Sequence, residues 1–273
     1  MTELTNAEFN KIRDYIKANL GINLSDEKRS LVQSRLKSTL AELGMSSFSE
    51  YFDYLLKDRT GDALTRFVNK ITTNHTFFMR EADHFDFLRT NVLPYVTEEF
   101  SGGRDLRLWC AACSSGEESV TLQIIVNEHF KKVKDSWNTQ ILATDISANV
   151  LDRAVHGRYL TETLENMPTA WKNEYFSKID DTLSQVSGEI LKQITYRKLN
   201  LLSDFKFKKK FHVIFCRNVM IYFDAKTRDE VVEKFYNVTE PGGYLFIGHS
   251  ESVSNSGTGY RFVKPAVYMK PKK

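Results

Sequence analysis

The sequence predicts an α/β protein in which a small all-α N-terminal domain precedes a doubly wound, nucleoside-binding sheet. Three observations carry this. An apolar run, Leu106, Leu108, Trp109 and Ala111, ends abruptly in the small residues Cys113-Ser114-Ser115-Gly116. Two acids, Glu117 and Glu118, then open the helical pattern Val120, Leu122, Ile124, Ile125, giving strand, tight loop and helix. A second short strand, Ile141 to Asp145, ends in an acid, and Ser147 is placed to cap the helix after it. The third observation is that residues 1 to about 92 carry helical periodicity with no strand pattern among them.

The first helix has a capping box, Thr5 with Glu8, ahead of Phe9, Ile12, Ile16 and Leu20, and Gly21 stops it. Ser25 is expected to cap a second helix, Leu31 to Leu43, that Gly44 ends. Lys28, Arg29, Arg35 and Lys37 make that helix basic on one side. This is either a solvated face or a docking surface for an acidic partner helix. Ser47 or Ser49 opens a third helix and Asp62 a fourth, through Phe67 and Ile71. In Thr72 to Glu81, Asn74 and Thr76 read as caps and Arg80 as a partner for Glu81 or Asp83. A further helix follows, bent or restarted by Pro94, before the turn Ser101-Gly102-Gly103.

Beyond Asp145, residues 158–200 exceed what a crossover needs and predict a helix with a small β excursion. The strand through Ile194, Tyr196 and Lys198 ends at Leu199-Asn200-Leu201. Lys206 to Lys210, interleaved with Phe205, Phe207 and Phe211, reads as a surface loop entering the buried strand His212 to Phe215. Ligands of open α/β sheets sit beyond the C-terminal strand ends, which places Arg217, Asn218 and Tyr222 well. Asp224 caps a helix, Pro241-Gly242-Gly243 turns into another strand, and one last strand, Phe262 to Met269, closes an antiparallel edge.

The ligand class follows from the first loop. A dinucleotide fold needs G-x-G-x-x-G to admit a pyrophosphate, whereas this loop has one glycine followed by two carboxylates. Carboxylates repel a diphosphate and suit hydroxyls or a cation. S-adenosylmethionine, with a ribose and a sulfonium but no phosphate, fits better than NAD or ATP. Taken alone, the loop reads equally well as an ordinary turn with solvated acids.

Composition narrows the class. The chain has 273 residues, 27% of them charged and a net charge of +3, too mild to imply nucleic acid. It begins with no signal peptide and holds no run long enough to cross a bilayer. Three cysteines argue for a reducing cytoplasm rather than a disulfide framework. Trp109-Cys110-Ala111-Ala112-Cys113 matches a thioredoxin-like W-C-x-x-C, but Cys110 falls inside the strand, away from a helix N-terminus. Six scattered histidines with no HExxH predict no metal site.

Together TTNHTFFMRE, AACSSGEES, ATDIS, CRNVMIYF and GGYLFIGHSES resemble the CheR family of bacterial chemotaxis receptor methyltransferases. The resemblance spans nearly the whole chain, with Met79 and Ser119 standing where the family usually has Phe and Pro. It implies a Rossmann-like class I methyltransferase domain over 93–273, with a β-subdomain within 158–200. A linker helix over 76–92 would join this domain to the helical one over 1–75. It implies O-methylation of glutamates on the cytoplasmic helices of chemotaxis receptors, converting S-adenosylmethionine to S-adenosylhomocysteine. Asn74, Thr76, Arg80, Glu117, Asp145, Asn200, Leu201, Arg217 and Asn218 are similar to the family's cofactor contacts. Arg80 and Tyr222 resemble the pair beside the transferred methyl, and Lys28, Arg29, Arg35 and Lys37 the receptor-docking face. The expected protein is a cytoplasmic monomer recruited to membrane receptor arrays, without nucleic-acid binding or membrane insertion. The alternatives are a non-catalytic cofactor-binding docking module and a methyltransferase for a small molecule or nucleic acid.

Overall fold

A computed structural model describes all residues except 1–2, 72–75, 132, 134–135, 254–257 and 273. The N-terminal helices are α1 (Asn6–Leu20), α2 (Arg29–Glu42), α3 (Phe48–Lys57) and α4 (Asp62–Ile71). The capping box of Thr5 and Glu8 forms, and Gly21 ends α1 in the left-handed region at φ +68°. Ser25 does not cap α2. A 3₁₀ turn, Asp26–Lys28, comes first, and the helix starts at Arg29. Phe9, Ile12, Ile16, Val32, Leu36, Phe48, Tyr51, Leu55 and Phe67 make a core of their own. The partly buried Ile146 and Tyr222, from the other half of the chain, pack against it.

The connecting segment holds α5 (Ala82–Phe87), a π-helical turn (Leu88–Val92) and α6 (Leu93–Glu99). Proline has no N–H to donate, and Pro94 sits in the first turn of α6, where none is required. Of the two expectations, a bend or a restart, the helix restarts: a π-helical turn precedes it and α6 begins at Leu93.

The α/β region runs β1 (Leu108–Ala111), α7 (Glu117–Phe130), β2 (Ile141–Asp145), α8 (Ala148–His156) and β3 (Arg158–Leu160). It continues through α9 (Thr169–Tyr175), β4 (Phe176–Lys178), β5 (Leu183–Val186), α10 (Gly188–Lys192), β6 (Ile194–Lys198) and β7 (Phe211–Cys216). It closes with α11 (Ala225–Val238), β8 (Thr239–Ile247), β9 (Arg261–Lys264) and β10 (Val267–Met269). The main sheet has the order β6-β2-β1-β7-β8-β10-β9, parallel through β8 and antiparallel beyond it. A separate antiparallel sheet, β3-β5-β4, is the excursion expected within 158–200.

Alternate side chains serve opposite faces. Leu108 and Cys110 join one core with Val213, Phe215 and Phe246. Trp109 and Ala111 join the other with Ile214, Leu245 and Phe235 of α11. Phe205 and Phe207, interleaved in the basic run, pack on Trp109 at 5.0 and 4.9 Å between ring centres. Their rings thus belong to the core. Two sequence expectations change here. Pro241-Gly242-Gly243 lies inside β8, where the pairing with β7 slips, and not in a turn before it. The last strand is a hairpin, because Pro265 lacks a donor and Ala266 adopts φ +62° between β9 and β10. No helix among the described residues is long and apolar enough to cross a membrane.

Arg35 is not a free member of the basic face. Its guanidinium donates to the carbonyls of Lys70 (3.2 Å) and Ile71 (2.9 Å) at the end of α4. Arg29 bonds Asn6, Lys28 is half-buried and Lys37 is exposed. Arg35→Ala should lower stability by about 1–3 kcal/mol, since charged donors to helix-end carbonyls are worth that much. Urea unfolding measures it. An unchanged midpoint would return Arg35 to the exposed face.

Candidate functional site

The C-terminal ends of β1, β2, β6 and β7 open onto a cavity of about 350 Å³, roofed by Leu20, Ile22, Val68 and Asn69 of the helical domain. That is the size of an ordinary small-ligand pocket. The roof is tied down by several polar contacts. The Asn69 amide donates to Ser147 Oγ (3.0 Å), and Asn23 N–H to the Tyr222 carbonyl (2.8 Å). Asn200 donates to the Asn19 carbonyl (2.9 Å), and Lys17 pairs with Asp224 at 2.9 Å.

The floor is the loop after β1. Ala112 and Ser114 take left-handed backbone at φ +60° and +51°, and Gly116 at φ +100°. A Cβ on Gly116 would lie 2.7 Å from Tyr159 Oη and 2.8 Å from Ala154 Cβ, so only glycine fits. Asp145, at the tip of β2, accepts from the N–H groups of Ser114 and Ser147, both at 2.9 Å. The two bonds fix its carboxylate and leave further lone pairs on its oxygens, and Asp145 lines the cavity. Burial pushes the Asp145 carboxyl above its ordinary range, against the pull of these backbone donors.

Arg217 organises the far side. Its side chain is only 1% exposed and lies between two carboxylates, Nη2 2.9 Å from Glu81 and Nη1 2.7 Å from Glu118. It also donates to the Arg80 carbonyl and stacks over Phe85 at 5.2 Å. Burial would raise the Glu81 carboxyl, but the Arg217 charge, the Asn218 amide and the His249 N–H outweigh it and hold it low. Buried His84, whose ring lies near Glu81, is lowered to about 4 by burial and then by Arg217.

Arg80 itself lines the cavity between two non-glycine residues in the left-handed region, Met79 (φ +63°) and Glu81 (φ +55°). Of the seven such residues described, five stand at this site: Met79, Glu81, Ala112, Ser114 and Asn218. Each strained residue costs on the order of 1–3 kcal/mol and persists only where its surroundings enforce it. Here the enforcement is visible. Glu251, buried, accepts from the N–H groups of Asn218 (3.0 Å), Ile221 (3.1 Å) and Gly248 (2.6 Å), shaping the loop to Tyr222.

Thr76, Arg80, Asp145, Asn200, Leu201, Arg217, Asn218 and Tyr222 all line this one cavity. Asn74 lies outside the described residues. Glu117 does not line it: its carboxylate turns back to Ser115 Oγ (2.7 Å), and the adjacent Glu118 takes the cavity position. Helical geometry separates the two, since consecutive side chains diverge by about 100°. The sequence motifs assign Glu81, Glu118 and Glu251 no individual place in the site. The double acid after Gly116 was the available sign of Glu118. Nothing local marks Glu251, which lies 33 residues from its partner Asn218.

A family model described as "CheR methyltransferase, SAM binding domain" matches residues 74–269, and "CheR methyltransferase, all-alpha domain" matches 7–72. The chain belongs to the CheR methyltransferase family. It is 40% identical to the chemotaxis protein methyltransferase of Borreliella burgdorferi over 98% of this chain and 95% of that one. It is 34% identical to chemotaxis protein methyltransferase 2 of Vibrio cholerae over 99% of this chain and 95% of that one. The cofactor of this CheR methyltransferase is S-adenosylmethionine. The cavity suits it: Asp145 presents a buried carboxylate of the kind that binds ribose hydroxyls.

Asp145→Asn should weaken S-adenosylhomocysteine binding by about 1.5–3 kcal/mol, the worth of hydrogen bonds to a charged acceptor. Calorimetry across pH adds a signed test. An ionised carboxylate can accept from both ribose hydroxyls and a protonated one cannot, so wild-type affinity should fall as pH drops through the raised Asp145 value. That fall should begin at a higher pH than an ordinary aspartate would give, and Asp145→Asn should lack it.

Proposed function

We propose that this protein methylates glutamate side chains on the cytoplasmic helices of chemotaxis receptors, forming methyl esters. The observation that carries the reading is that Arg80 and Tyr222 line the same cavity as Asp145, within a chain of the CheR methyltransferase family. S-adenosylmethionine, when bound, supplies a methyl group made electrophilic by the adjacent sulfonium. Asp145 would hold its ribose and the Asn200-Leu201 turn its adenine side. Arg217 with Glu118 offers a cation and an anion complementary to its amino-acid end.

A glutamate is ionised at neutral pH, so the protein needs no general base. Its work is orientation and exclusion of water. Arg80, fixed by the left-handed residues on either side, orients the incoming carboxylate. Its part is to align that carboxylate rather than neutralise it, since a tight ion pair would slow the attack. Tyr222 donates a hydrogen bond at the same oxygen, from a backbone anchored by Asn23. Leu20, Ile22 and Val68 keep the reacting groups from water, where the separated charges of the ground state would be stabilised. Lys28 and Lys37, with Arg29, would meet acidic receptor helices. The protein would act as a cytoplasmic monomer recruited to membrane receptor arrays.

Incubation with methyl-labelled cofactor and a receptor cytoplasmic fragment should give label that alkali releases as methanol. Alkali-stable label would contradict carboxylate methylation. In single-turnover experiments, Tyr222→Phe should slow methyl transfer about 10- to 100-fold, with S-adenosylhomocysteine affinity unchanged. A loss of cofactor affinity without a slower transfer step would remove Tyr222 from the reacting centre.

A further inference from the structure

Beside the cofactor cavity, on the outer side of Glu81, three potential ligand atoms of Glu81, His84 and His249 lie within 4.8 Å of one another. His84 is fully buried, and neither ring nitrogen has a hydrogen-bond partner among the described residues. A buried imidazole without partners is unusual and costs about 1–3 kcal/mol per orphaned group. The rings of His84 and His249 meet edge to face at 4.6 Å between centres, and His84 Nδ1 lies 3.5 Å from Glu81 Oε2. The side chain of His249 is 46% exposed, which leaves the cluster open to solvent. Asp83 Oδ1 sits 3.1 Å from His249 Nε2, an acceptor of the kind that orients a ligating imidazole.

We propose that Glu81, His84 and His249 form a binding site for a divalent transition cation of the Zn²⁺ class, coupled to the cofactor cavity through Arg217. Two imidazoles and one carboxylate suit Zn²⁺ or Co²⁺ and disfavour Mg²⁺ or Ca²⁺, which take oxygen ligands. The ligands come from α5, the residue before it and the segment after β8, so no sequence motif with metal spacing announces them. The coupling follows from Glu81. Its Oε2 already accepts from Arg217, and Arg217 lines the cavity and pairs with Glu118. A cation drawing on that carboxylate weakens its hold on the guanidinium. The protein thus carries an inhibitory cation site, in which metal and cofactor each lower the other's affinity by the same factor.

The test uses the tag-free full chain and Co²⁺, whose visible absorption reports nitrogen coordination, followed by displacement with Zn²⁺. One equivalent should bind, and His249→Ala should weaken binding at least about tenfold. His249 is exposed enough for the variant to fold, and His156→Ala, at an exposed histidine on α8, should bind as wild type does. Calorimetric S-adenosylhomocysteine affinity should fall several-fold at saturating Zn²⁺ in wild type and stay constant in His249→Ala. Equal Co²⁺ uptake by wild type and His249→Ala, meaning an adventitious ion only, overturns the site. So does no uptake by wild type. An S-adenosylhomocysteine affinity indifferent to bound Zn²⁺ overturns the coupling.

Discussion

One buried guanidinium holds the functional half of this molecule together. Arg217 leaves the end of β7 and meets Glu81 from the linker, Glu118 from the first turn of α7 and the carbonyl of Arg80. Three segments distant in sequence are thereby fixed around one planar fork. A buried arginine is tolerable only when its donors are matched: removing the guanidinium would leave two carboxylates facing each other uncompensated, and removing either carboxylate would leave guanidinium donors without an acceptor. Lysine could not substitute, because its ammonium is a single point rather than a fork reaching two carboxylates and a carbonyl. This network consumes no catalytic group. It holds the backbone at Arg80 through its carbonyl, between the left-handed residues Met79 and Glu81.

The helical domain completes the site rather than merely preceding it. Tyr222 and Ile146 pack on its core, and the Ile22 to Asn23 segment pairs with Phe223 and Tyr222. Gly21 lets the chain approach this closely: a Cβ there would lie 2.7 Å from Thr227 Cγ2. The proposed carboxylate methylation, in which two opposite charges vanish together, benefits from a dry wall on this side. The apolar roof of Leu20, Ile22 and Val68 provides it.

The sequence was legible wherever function and local periodicity coincide. The loop from Cys113 to Gly116, the acid at the tip of β2 and the caps at Thr5, Ser47, Ser147 and Asp224 are short-range patterns, and each forms. The helical start of the chain followed from its periodicity and the Arg217, Asn218 and Tyr222 positions from a strand end, whereas Asn200 and Leu201 entered as cofactor contacts only through the family resemblance. What stayed hidden depends on tertiary contact. Arg35 looks like a surface cation until α4 ends beside it. Glu117 and Glu118 are equivalent in sequence, and only the helix phase decides which faces the cavity. Glu251 works by accepting backbone donors from a loop 30 residues or more away. Ser25 failed as a cap because the chain there tightens into a 3₁₀ turn, which takes the position the cap would serve.

The most direct measurement is a crystal structure of the chain with S-adenosylhomocysteine. The account predicts the ribose hydroxyls on Asp145, the adenine beside Asn200 and Leu201, and the sulfur facing Arg80 and Tyr222 beneath the helical roof. A nucleoside bound elsewhere, or a sulfur turned away from Arg80 and Tyr222, would contradict it.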